Sequence, residues 1–106
     1  MSELDVNRLL MQFEKSVREI NRDEINPEIP ELKLEELNPV VSMVAKARAR
    51  YLKELFNLAS LTEGEAPTSE QIRRLEKLRH TYEELVEGVK ALEVAIERGY
   101  LDVMHT

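Results

Sequence analysis

The chain has no cysteine and no tryptophan, and only three glycines and two phenylalanines among 106 residues. Without cysteine there is no disulfide framework and no thiolate metal site. No run of about 18 apolar residues occurs, so nothing in the sequence spans a membrane. The opening residues, Met1-Ser2-Glu3-Leu4-Asp5, lack the basic stretch and apolar core of a secretory signal, and the expectation is a cytoplasmic protein. Strand-forming segments are absent. Leu, Glu, Ala, Lys and Arg dominate, all of them strong helix formers. Apolar residues at 42% are too many for intrinsic disorder, and charged residues at 34% too many for a membrane protein. The length is that of one domain with a small core.

Net charge is −6 and unevenly placed. Residues 1–38 carry 5 basic and 10 acidic groups, residues 39–80 carry 8 and 5, and residues 81–106 carry 2 and 6. A basic middle lies between acidic ends, which disfavours a generic nucleic-acid binder while leaving room for a local basic patch.

Three helices are expected in a single domain spanning residues 1–106. The first runs from about residue 3 to 21, with Ser2 as N-cap, Glu3 and Asp5 at the positive end of its dipole, and Asn21 closing it. Val6, Leu10, Phe13, Val17 and Ile20 recur in steps of four and three, with Leu9 widening the stripe. Residues 22–38 form an arm: Pro27 and Pro30 deny the helix at two points, and one short helical turn is expected near residues 31–37. The second helix is expected over 39–61, capped by Asn38 with Pro39 at its first position. It carries two apolar stripes, Val41, Val44, Ala47, Tyr51, Leu55 and Leu58, then Ala45, Ala49, Leu52, Phe56 and Ala59. Gly64 and Pro67 mark a turn, and Thr68 with Gln71 reads as a capping box. The third helix is expected over 69–98, about 45 Å long, ending at Gly99 with Tyr100 folded back. Its seam, Leu75, Leu78, Tyr82, Leu85, Val89, Leu92 and Ile96, alternates steps of three and four for three heptads.

A short connection makes the second and third helices an antiparallel hairpin. The expected fold is therefore all-α, a three-helix bundle built on that hairpin, with an extended arm between helices 1 and 2. The third helix is the longer of the pair, and its overhanging end calls for cover. Leu85, Val86, Val89, Leu92, Ile96 and Tyr100 are the candidate interface for a homodimer or a heteromeric helical partner.

Little else carries chemistry. No phosphate loop, nucleophile motif or zinc spacing appears, so no catalytic residue, cofactor, metal or small-molecule substrate is expected. The favoured function is a non-enzymatic interaction module, an adaptor, small chaperone or assembly factor acting through apolar helix seams. The alternative rests on basic groups. Lys46, Arg50, Lys53, Arg73, Lys77 and His80 share a surface if the hairpin turns near residue 65. Arg73 and Arg74 stand seven and six residues before His80, a spacing that resembles the Arg-x(4–6)-His motif of the HEPN ribonucleases. That resemblance implies an all-helical RNA-acting protein, dimeric around the motif. Leu75 follows Arg74, where that family usually carries a polar residue.

Overall fold

The computed structural model describes residues 2–29 and 31–104. It contains three helices, α1 (Glu3–Ile25), α2 (Leu34–Thr62) and α3 (Ser69–Glu97), and no strand among the described residues. The fold is all-α, and α2 and α3 form the antiparallel hairpin: Arg48 meets Tyr82 while the later Glu54 meets the earlier Arg74.

The helix ends follow local chemistry. The Ser2 hydroxyl accepts from the Asp5 N–H at 3.2 Å. The Asn21 amide is turned inward to the Val17 carbonyl at 2.8 Å and caps nothing, so α1 runs one turn beyond the expected residue 21. It stops where Pro27 withholds the N–H that would reach the Asp23 carbonyl.

The arm is accordingly shorter than residues 22–38, because α2 begins at Leu34 and not at Pro39. Pro39 is the sixth residue of this helix, one turn beyond the N–H groups that have no intrahelical partner in any case. Pro39 costs one bond, to the Glu35 carbonyl. Asn38 lies inside the helix and is not its cap.

At the hairpin turn, Glu63 (φ 54°) and Gly64 (φ 83°) both adopt left-handed backbone. The Glu63 N–H donates to Ser60 and the Gly64 N–H to Ala59. Glu63 thus takes the C′ position expected of glycine. The capping box forms in both directions, Thr68 N–H to Gln71 Oε1 at 2.8 Å and Gln71 N–H to Thr68 Oγ1 at 3.2 Å. At the far end of α3, Gly99 (φ 70°) donates to Ile96 and Tyr100 to Ala95, the paired bonds of a Schellman motif.

The chain groups into two compact units. Residues 35–90 form the hairpin unit. Its seam on α2 comprises Val40, Val44, Ala47, Tyr51, Glu54 and Leu58, and Ala47 and Leu58 are the two buried side chains. Relative to expectation, Val40 and Glu54 replace Val41 and Leu55. On α3 the expected seam residues from Leu75 to Val89 are half-buried. Tyr51 and Tyr82 stack at 6.1 Å between centroids, and the Arg48 guanidinium lies 5.3 Å over the Tyr82 ring.

Residues 1–34 and 91–106 form the second unit. Its core is Leu32, Ala95, Tyr100 and Leu101. Leu32 pairs with the tail in an isolated parallel bridge to Val103: its N–H donates to Asp102 at 2.8 Å and its carbonyl accepts from Met104 at 2.9 Å. The segment after α3 is therefore docked, and Tyr100 and Leu101 are buried, at 7% and 3% exposure.

Candidate functional site

The groups that the sequence singles out fall into three sets. Of the candidate interface on α3, Leu85, Val86, Val89, Leu92 and Ile96 are half-buried and Tyr100 is buried.

The basic groups Lys46, Arg50, Lys53, Arg73, Lys77 and His80 are all exposed on the hairpin unit. Lys46 and Arg50 edge a groove floored by Met43, Ala47, Leu78 and Leu85. His80 borders the adjoining hollow with Thr81, Glu84 and Leu85. Arg73 and Lys77 line a different concavity, with Thr68, Glu70, Gln71 and Arg74. Arg74 is turned to Glu54, 3.5 Å away, whose side chain is largely withdrawn from solvent. The arginines of the HEPN-like spacing and His80 thus border separate hollows. Among the described residues no group of three His, Asp or Glu side chains is placed to hold a metal, and no helix is long and apolar enough to cross a membrane.

The third set is apolar surface, and it is the largest. No residue of α1 is buried, although the helix is strongly amphipathic. Val6, Leu9, Leu10, Phe13 and Ile20 stand exposed, Phe13 at 64%. Only Val17, Asn21 and Ile25 are half-covered. On α2 the second stripe is equally bare: Ala45, Ala49, Leu52, Phe56 and Ala59 are all exposed, Phe56 at 72%. The periodicity reveals both stripes. What it does not reveal is that neither is consumed as core.

One polar constellation escapes sequence reading. The Arg22 guanidinium donates to the Gly99 carbonyl and to Asp102 Oδ1, each at 2.9 Å, and the Asn26 amide donates to Asp102 Oδ2 at 3.2 Å. These donors hold the Asp102 carboxyl below the usual carboxylate range, Arg22 first and Asn26 second. The group fastens α1 to the tail that follows the Schellman turn. Partners about eighty positions apart leave no local signal.

Comparison with known proteins finds no matching family model, no matching characterised protein and no matching solved structure.

Proposed function

We propose that this protein is a non-enzymatic helical interaction module, of the adaptor, small-chaperone or assembly-factor kind, that works by presenting apolar helix faces to another polypeptide. The observation that carries this reading is α1: 23 residues of amphipathic helix, none buried, with Leu10, Phe13 and Ile20 all more than half exposed. A contiguous apolar face on one side of a helix is the element used in helix-in-groove recognition, where residues spaced three and four apart act as anchors. Leaving such a face in water is costly, since each large side chain contributes roughly 1.5–3 kcal/mol when fully buried. The reading moves the interaction surface from the half-buried seam of α3 to α1 and the outer face of α2.

Lysine cross-linking of the full chain in cell extract tests it. Lys15 on α1 and Lys46 and Lys53 on α2 should cross-link to a polypeptide, and Phe13→Asp should abolish the Lys15 products. Absence of any intermolecular polypeptide cross-link overturns the reading.

A second reading is favoured by the shared exposure of Lys46, Arg50, Lys53, Arg73, Lys77 and His80. As a nucleic-acid surface it requires RNA or DNA retention that weakens steeply with salt, each neutralised phosphate adding about 0.9 to the log–log slope. Retention should fall in Arg73→Ala and Lys77→Ala. As a HEPN-like activity it further requires loss of RNA cleavage in His80→Ala with the fold intact.

A further inference from the structure

We infer that the partner is a second copy of this chain, and that two copies exchange helices reciprocally, the apolar face of α1 from each lying antiparallel along the outer stripe of α2 from the other. This rests on the interaction-module reading and names its partner.

The two faces match in period and length. On α1 the apolar residues Val6, Leu10, Phe13, Val17 and Ile20 advance by 4, 3, 4 and 3. On α2 the residues Ala45, Ala49, Leu52, Phe56 and Ala59 advance by the same steps. Each stripe therefore extends about 21 Å along its helix, which is the condition for the side chains of one to enter the gaps of the other. Size is complementary as well. The α1 stripe is all large residues, whereas three of the five on α2 are alanines that admit a close neighbour.

Charge selects the occupant. The positions flanking the α1 stripe are Asn7, Glu14 and Asn21 on one side and Leu9, Ser16 and Asp23 on the other, two carboxylates and no cation. Those flanking the α2 stripe are Lys46, Lys53 and Ser60 on one side and Val41, Arg48 and Leu55 on the other, three cations and no carboxylate. Pairing α1 with α1 sets carboxylate against carboxylate, and pairing α2 with α2 sets cation against cation. Pairing α1 with α2 sets Glu14 against a cation and leaves no like-charged pair across the two flanks. An antiparallel alignment centred on Phe13 and Leu52 brings Glu14 to Lys53, Leu9 to Leu55 and Asn7 to Ser60. Parallel alignment also gives Glu14 a cation, Arg48, but sets Leu9 against Lys53, so what favours the antiparallel alignment is the apolar Leu9–Leu55 pair.

The need for such cover is visible in each unit. The hairpin unit, residues 35–90, buries only Ala47 and Leu58, and α1 buries nothing. Small units with so little core gain stability by oligomerisation. A two-fold arrangement uses both stripes of both copies and closes on itself, so assembly stops at two.

The test is the solution mass of the full chain by light scattering at low and high salt, with circular dichroism to confirm helix content in every variant. The expected mass is twice 12.3 kDa. Phe13→Asp and Phe56→Asp each replace an exposed side chain, and each should weaken the dimer at least about tenfold. Mixing those two variants should restore a 1:1 heterodimer, since one retains an intact α2 stripe and the other an intact α1 stripe. Glu14→Lys should weaken the wild-type dimer, and adding Lys53→Glu should recover it. A monomeric wild type overturns the inference, as does a dimer that survives both aspartate variants or a mixture that fails to pair. A monomer whose Lys15 still cross-links to a different polypeptide ends the self-pairing and leaves the interaction-module reading standing. A monomer with no such cross-link ends both.

Discussion

Two residues are poorly matched to the backbone they occupy. Glu63 holds φ 54° at the C′ position of α2, a conformation that costs an L side chain about 1 kcal/mol and glycine nothing. Glu63→Gly should therefore raise stability by about 1 kcal/mol, read as a higher urea midpoint with an unchanged slope. Gly88 is the reverse case. It lies in mid-helix, and a Cβ built there meets nothing within 4 Å, so it serves no close approach of backbones. Gly88→Ala should add about 1 kcal/mol, the difference in helix propensity. The same urea series checks both. The sequence shows that Gly88 is unfavourable in a helix but leaves open whether a neighbour demands it, because that depends on what lies opposite.

Elements were legible wherever the signal is local. The Ser2 cap, the Thr68–Gln71 box and the Gly99–Tyr100 turn all form as their residue types dictate, because a cap is satisfied within five residues. The start of α2 misleads for a physical reason: Asn38-Pro39 is a good opening for a helix and also a tolerable second turn, and sequence alone does not rank the two. The parallel bridge of Leu32 to Val103 and the Arg22–Asn26–Asp102 cluster are invisible to any window. That cluster makes the fastening of α1 sensitive to acid. The Asp102 carboxyl is held below its ordinary range by Arg22 and Asn26, so its contribution is fully present above that range and is lost as pH falls through the depressed value. Asp102→Asn should be less stable at neutral pH, and its stability should fall less on acidification than that of the wild type. Urea unfolding across the acid limb measures both. The effect should be modest and reduced by salt, because the pair is about half exposed.

At the scale of the molecule, the all-α architecture and the hairpin were readable because seven seam positions on α3 keep their period without a fault. The fate of the other stripes was not. Periodicity says that a face is apolar, but whether the chain itself or another chain covers it depends on tertiary packing. If copies exchange α1, folding and association become one equilibrium, and thermal stability must depend on concentration. A tenfold rise in protein concentration should lift the Tm by about 3–6 °C. A Tm that does not move identifies a self-sufficient monomer. The division of the chain has a further consequence in time. Residues 35–90 are continuous in sequence, so the hairpin can close as soon as it is synthesised, whereas α1 is fastened by Gly99 and Asp102. At about 5–20 residues per second, α1 leaves the ribosome roughly 4–15 s before its anchor exists. During that interval its bare apolar face is within reach of other chains growing on the same message, so if copies pair through α1 the first opportunity falls during translation.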